Sequence, residues 1–425
     1  MNKEKQENLK LLYLLMYYAP CSHTGTFRNL RFSKYFGKHG FQQFIFTGKY
    51  NTNINLKLNE SIPTDAIIYR KKINIAQFKW TNRQNIKNTL CSKLVFLLKD
   101  IFFSPDKYIW WVLAYIPKMI WTIRKEKIKL LMTSGPCFSL FIGAYLLKKI
   151  CKVKFILDYR DPWTNGWIQQ TQGFIYQKII SFWERRCVCN SDLITTCTTE
   201  MREYLQEKYH PKCKILKIPN GFDLDELDWG TSVKTPIKDN IFTFLYTGKF
   251  NIFDKIYNPE NMLKAYDIFT RKYDIKDSEL FFIGASNSET KKYINDINNQ
   301  YVHIFDSMPK QDIIQIQKKA NVLIHFFYPV TPKEIVSLKI CEYAICKKPI
   351  ISFSIKEGDL YNLIKNNHIG ETADTHNIEE MVSLYHKAYQ GKIEISDNPE
   401  EQLSDYNVEY TSSILANEIA RLIKE

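Results

Sequence analysis

Residues 129–157 read KLLMT SGPC FSLFIGAYLLKK ICKV KFIL. Lys129–Thr133 and Lys154–Leu157 are short apolar runs, and Phe138–Lys149 between them is long enough for a helix. A strand, a helix and a second strand in this order predict a parallel crossover, because parallel neighbours need a long connection. Near-continuous apolar strands of this kind are buried on both faces. The alternation continues outward in both directions. Toward the N-terminus it predicts strands at Leu11–Tyr18 and Phe44–Thr47 around a helix at Arg28–His39. Toward the C-terminus it predicts helices at Ile175–Cys189 and Thr199–Lys208, with strands at Leu193–Thr196 and Lys214–Ile218. A polar linker covers 229–240. Beyond it, strands at Phe242–Tyr246, Leu280–Ile283, Val302–Ile304, Val322–Phe326 and Pro349–Ser352 alternate with helices at Pro259–Lys272, Lys291–Asn298, Gln311–Ala320, Ile335–Ala344 and Gly358–Asn366. Ile378–Gln390 and Val408–Lys424 are the last helices. The expectation is an α/β chain of two doubly wound, Rossmann-like domains facing across a cleft, 1–228 and 229–405, with a C-terminal helix at 406–425.

The bulk numbers agree. A chain of 425 residues is too long for one typical core. Hydrophobic residues make up 45% and charged residues 24%, a globular balance. Ten cysteines are scattered without a CxxC pair, and Cys187-Val-Cys189 fits no common zinc framework. Reduced, mostly structural thiols imply a cytosolic protein. The apolar run from Leu9 to Pro20 is preceded by Glu4 and Glu7 and followed by no small-x-small cleavage site, so it reads as a buried strand rather than a signal peptide. The nearest candidate for a membrane span, 130–147, is broken by Ser134-Gly135-Pro136.

The net charge of +14 is concentrated in one place. Residues 70–129 hold fourteen Lys or Arg against Asp100, Asp106 and Glu126, a balance of +11. Ten aromatic residues from Phe78 to Trp121 are interleaved with them. This mixture suits an anionic membrane surface. It also suits single-stranded nucleic acid, or a helix pair with one packed aromatic face and one solvated lysine face.

The segment Glu334-Ile-Val-Ser-Leu-Lys-Ile-Cys-Glu342 is the clearest chemical signal. On a helix, Lys339 and Glu342 share a face at i,i+3 spacing. A cation suits phosphate, and a carboxylate accepts paired hydrogen bonds from sugar hydroxyls. The plain reading is a solvated ion pair on an amphipathic helix. The segment resembles the donor-sugar site of the family 4 glycosyltransferases, retaining enzymes of GT-B fold, and three further segments resemble the family in its order. Gly25-Thr26-Phe27-Arg28 is similar to the loop and helix start after the family's first strand, though one glycine stands where two are usual. Asp158-Tyr-Arg160-Asp161-Pro-Trp163, after Ser134-Gly-Pro136, resembles a subgroup that builds bacterial surface polysaccharides. Gly248-Lys249, with Lys255 after it, resembles the start of the family's donor domain.

The resemblance implies roles. Lys249, Lys255 and Lys339 would face the donor diphosphate, with Gly248 beside them and backbone N–H groups from Ser337 and Leu338. Glu342 would hold the ribose, and Glu334 the donor sugar. Arg160 or Asp161 would stand where many members carry a histidine toward the reacting centre. Gly25, Thr26, Arg28 and Trp163 would meet the acceptor. The implied donor is a nucleotide-diphosphate sugar, used without metal or other cofactor. The implied acceptor is a glycan or lipid-linked glycan for a capsule- or O-antigen-like surface polysaccharide. The C-terminal helix would return to the first domain, and the basic aromatic segment would dock on the cytoplasmic face of the inner membrane, with no nucleic acid expected. Two alternatives stand beside this reading: a nucleotide-sugar enzyme such as a 2-epimerase, and a non-enzymatic basic module for single-stranded nucleic acid. Asp223-Leu-Asp225 fits a metal-binding pattern but reads as a helix start, and His325 reads as structural. No G-x-G-x-x-G follows any strand, which disfavours a dehydrogenase.

Overall fold

The computed structural model describes residues 9–73, 101–165, 173–228, 235–253, 257–284, 286–296, 300–327 and 336–424. They form two compact units, one ending at Pro219 and taking in the chain from Thr411 onward, the other Asn220–Tyr410. The division falls at 219/220, where the sequence reading set 228/229.

The first unit is built on seven parallel strands: β1 Leu9–Leu14, β2 Phe41–Lys49, β3 Ile67–Lys72, β4 Leu130–Ser134, β5 Lys154–Tyr159, β6 Leu193–Thr196 and β7 Lys214–Lys217. Their order is β3-β2-β1-β4-β5-β6-β7. The crossover read from 129–157 is β4, the helix Ser139–Cys151, and β5, paired in parallel register from Leu130↔Lys154 to Ser134↔Asp158. The C-terminal helix Val408–Lys424 lies largely within this unit, with Lys214 Nζ 2.8 Å from Glu418 Oε1.

The second unit has six parallel strands: β8 Phe242–Thr247, β9 Ser278–Ile283, β10 Val302–Phe305, β11 Val322–Phe326, β12 Ile350–Phe353 and β13 Gly370–Ala373, in the order β10-β9-β8-β11-β12-β13. Residues alternate between two cores. Phe244 and Tyr246 pack with Leu263 and Met381 on one face, and Leu245 packs with Ile316, Ile340 and Leu363 on the other. Both sheets therefore start from the same 3-2-1-4-5-6 winding, as the doubly wound reading expects. Two strands escaped that reading, β3 and β13. Both are edge strands, and an edge strand covered on one side needs no continuous apolar run.

Within the basic aromatic stretch, residues 74–100 lie outside those described. The remainder forms helices Ile109–Leu113 and Ile116–Glu126. Their aromatic residues divide: Trp111 and Tyr115 are buried, whereas Trp110 and Trp121 are about half exposed (51% and 55%). Among the described residues no helix is long and apolar enough to cross a membrane.

One buried network ties the first unit together. The Asp158 carboxylate, at the end of β5, accepts from Arg28 Nε at 3.1 Å and Nη2 at 2.8 Å, from Ser134 Oγ and from Thr195 Oγ1 at 2.6 Å each. Arg28 also donates to the carbonyls of Ile218 and Pro219. Burial alone would raise the Asp158 carboxyl, but the guanidinium and the hydroxyls hold it below the usual carboxylate range. Asp158→Ala leaves a buried cation uncompensated, so it should lower the unfolding free energy by roughly 3–5 kcal/mol in urea denaturation. Lys276→Ala, which breaks an exposed ion pair with Asp274, should change it by at most about 1 kcal/mol.

Candidate functional site

Each sheet reverses its winding beside its first strand, between β1 and β4 in one unit and between β8 and β11 in the other. Ligands of doubly wound sheets bind outside the carboxyl ends of the strands at such a point. In the second unit the described candidates gather there. Gly248 leaves β8 with φ +132°, and Gly284 leaves β9 with φ +157°. A Cβ on Gly284 would lie 1.9 Å from the Gly248 carbonyl oxygen, and one on Gly248 would lie 2.1 Å from Lys339 Nζ. The ammonium thus crosses directly over a residue without a side chain.

Tyr246 holds it there. Lys339 Nζ donates to Tyr246 Oη at 3.0 Å and sits 4.4 Å from that ring's centre. The same hydroxyl donates to the Lys249 carbonyl at 2.7 Å. The ring of Tyr257 flanks both cations, 5.8 Å from Lys339 Nζ and 5.7 Å from Lys249 Nζ. Burial pushes the Lys339 ammonium down to about 7, against an upward pull from Glu342.

Lys339 and Glu342 lie on the short helix Leu338–Ala344. Ser337 caps it, accepting from the Lys339 N–H at 3.4 Å. One turn on, the Tyr343 hydroxyl accepts from the Thr247 N–H at 3.0 Å and pins the helix to the end of β8. Among the described residues Lys339 forms no ion pair with Glu342, which replaces the plain reading of the motif. The Glu342 carboxylate instead accepts from Lys310 Nζ at 2.7 Å, and the same ammonium reaches Glu226. Sequence reasoning missed Lys310 and Glu226. They lie 32 positions before Glu342 and 84 positions before Lys310 respectively, and no short motif joins such distances. His325 is buried in β11, its Nδ1 3.1 Å from Ser352 Oγ. Burial and the nearby Lys339 push it down to about 3, so the ring is neutral, in keeping with a structural role. Glu334, Lys255 and the side chain of Leu338 lie outside what the structure describes.

In the first unit Gly25, Arg160 and Asp161 come together. The Gly25 N–H donates to His23 Nδ1 at 3.1 Å, and His23 stacks on Tyr17 with ring centres 3.8 Å apart. A Cβ on Gly25 would meet Tyr17 at 3.1 Å and Arg160 Nη1 at 3.2 Å. Arg160 Nη2 donates to Asp161 Oδ2 at 3.3 Å, and the Asp161 side chain is 44% exposed. His23, not singled out from the sequence, joins this group as the N-cap of the helix Thr24–Lys38. Three residues expected at the acceptor lie inside the unit. Thr26 is fully buried. Arg28 spends its guanidinium on Asp158 and two carbonyls. Trp163 is fully buried and stacks on Phe138 at 4.8 Å with the planes 2° apart. All three are buried within the first unit.

Among the described residues no group of three or more His, Cys, Asp or Glu side chains is placed to hold a metal ion. Asp223 accepts from the Asp225 N–H at 3.2 Å and leads into the 3-10 turn Leu224–Asp228.

Residues 30–226, fewer than half of the 425, match the family described as Glycosyltransferase Family 4. Among solved structures, sucrose-phosphate synthase from Thermosynechococcus elongatus is 12% identical with a TM-score of 0.68, covering 98% of this chain and 99% of its own. The Anabaena protein Alr3699/HepE, solved with UDP and glucose, is 12% identical with a TM-score of 0.63, covering 97% and 100%. A UDP-N-acetylglucosamine 2-epimerase from Listeria monocytogenes, so described as putative, is 11% identical with a TM-score of 0.58, covering 98% of each chain. No curated protein matches in sequence. At these identities the structures speak for the fold alone, a GT-B architecture, and the sequence match speaks for residues 30–226, which are similar to Glycosyltransferase Family 4.

Proposed function

We propose that the chain moves a sugar from a nucleotide-diphosphate sugar to a saccharide or lipid-linked saccharide, with retention and without metal, in the assembly of a surface polysaccharide. The observation that carries this reading is the ammonium of Lys339, held over Gly248 at the switch point by tyrosines instead of by a carboxylate. A cation whose direct contacts among the described residues are tyrosines suits an anionic group that arrives with the substrate. Lys249 at the same strand end would share the diphosphate, and Glu342 on the same helix would take ribose hydroxyls.

In the proposed reaction the bond between the sugar's anomeric carbon and the diphosphate oxygen breaks, and the pair of electrons leaves with the diphosphate. Lys339 and Lys249 stabilise that charge, the task a metal performs elsewhere. A bond to the acceptor oxygen forms on the same face, and the acceptor's proton passes to a departing phosphate oxygen. Glu334 would hold hydroxyls of the donor sugar, the Ser337 and Leu338 amides would meet phosphate oxygens, and Lys255 would add positive charge. Gly25, Arg160 and Asp161 would hold the acceptor. Because HepE is described with UDP, uridine nucleotides are the first donors to test. Mass spectrometry of reactions with and without oligosaccharide acceptors separates the outcomes. Acceptor-dependent release of nucleoside diphosphate supports transfer, whereas a new nucleotide sugar formed without acceptor supports the epimerase alternative.

We also propose peripheral attachment to the cytoplasmic face of an anionic membrane. Trp121 lies beside Lys125, whose Nζ is 4.7 Å from its ring, and Trp110 and Phe102 are exposed nearby in sequence. A basic rim around exposed indoles suits a headgroup layer.

Three outcomes test these readings. Gly248→Ala drives a methyl group into Lys339, and should weaken UDP binding by calorimetry about ten- to a hundredfold, the equivalent of losing one charge-assisted contact. An anion holds Lys339 in its charged form, so UDP affinity should fall as pH rises above about 7, by at most about tenfold per unit. In Lys339→Arg, charged throughout, that slope should flatten. The protein should sediment with anionic but not neutral phospholipid vesicles, and a Trp110→Ser, Trp121→Ser double variant should lose roughly tenfold in partitioning.

A further inference from the structure

Lys310 opens the helix Lys310–Lys319, directly after Pro309. A cation there faces the positive end of the helix dipole, an unfavourable place worth a few tenths of a kcal/mol or more. The helix itself therefore gives no reason for a lysine at this position. The reason lies in what the side chain reaches. Its side chain is only 13% exposed, and the ammonium lies between two carboxylates, on side chains exposed by 7% at Glu226 and 21% at Glu342. Glu342 is the carboxylate beside Lys339 that the proposed function assigns to ribose.

Two carboxylates within reach of one ammonium would, without it, repel each other. Left to themselves they would splay apart, and the Glu342 carboxylate would lose its fixed direction. With the lysine between them the two are drawn together, and the Glu342 carboxylate is held in one orientation. That is the state that takes hydrogen bonds from a pair of vicinal hydroxyls. A second tie is present for purely structural needs: Lys318, on the same helix, donates to the Leu227 carbonyl at 3.1 Å. The turn carrying Glu226 is thus anchored to the helix without Lys310.

We propose that Lys310 is a positioning residue that, braced on Glu226, sets the orientation of Glu342 for the ribose diol of the donor nucleotide. The inference rests on the donor-site reading, and the experiment separates the two. Binding of UDP and of 2′-deoxy-UDP is measured by calorimetry for the full chain and for Lys310→Met, Lys310→Arg and Glu342→Gln, with thermal midpoints recorded alongside. The parent protein should prefer UDP by about tenfold, one hydrogen bond to a charged group. Glu342→Gln and Lys310→Met should both lose most of that preference, and Lys310→Arg should restore it. Lys310→Gln carries the same comparison if the methionine variant melts below the assay temperature. A parent protein that binds UDP with no preference for the ribose overturns the role of Glu342. A preference lost in Glu342→Gln but intact in Lys310→Met or Lys310→Gln overturns the role of Lys310 while leaving the donor site standing.

Discussion

A lysine ammonium crosses the end of β8 at the one residue there that leaves it room. Gly248 can carry no side chain because Lys339 occupies the space, and Gly284 can carry none because the Gly248 carbonyl occupies its own. These two close approaches bring the helix Leu338–Ala344 down onto the strand ends, where Tyr343 and Thr247 fix it. Everything else at this edge follows from that seating. Tyr246 becomes the ammonium's partner, Lys249 is carried to the same edge through its carbonyl, and Glu342 is turned away from Lys339 toward Lys310.

The first unit depends on a different arrangement at the same topological position. There the strand ends are closed by Arg28 and Asp158, a pair satisfied within the core. Its exposed chemistry is displaced to the next loop, where Gly25 lets Arg160 approach the helix start and Asp161 stays in contact with water. The two sheets share a winding but not a use. One edge presents the Lys339 ammonium against tyrosines, and the other presents a paired guanidinium and carboxylate.

Much of this was legible in the sequence, for reasons that also mark where legibility ends. Central strands such as β4, β5 and β11 are apolar on both faces, so each leaves a continuous run. The edge strands β3 and β13 do not, and they went unread. Gly248, Lys249, Lys339 and Glu342 were readable because strand-end glycines and i,i+3 pairs are local patterns. Arg28 and Trp163 stood in equally suggestive motifs, yet a motif carries no information about which way a side chain turns, and both turn inward. Lys310 and Glu226 left no trace because their meeting with Glu342 is made by the fold across long separations. The exposed and buried indoles of 109–121 show the same limit: composition announces tryptophan and lysine, but only packing distinguishes Trp111 from Trp110.

Lys339 has a consequence beyond binding. An amine drawn down to about 7 by burial is largely unprotonated in mildly alkaline buffer, and an unprotonated amine is a nucleophile. The burial that lowers it also screens it, so only electrophiles small enough to enter beside Gly248 would meet the amine. The same ammonium-to-amine balance that leaves the edge ready for an anion makes its resting form chemically vulnerable, and an occupied site would be its shield.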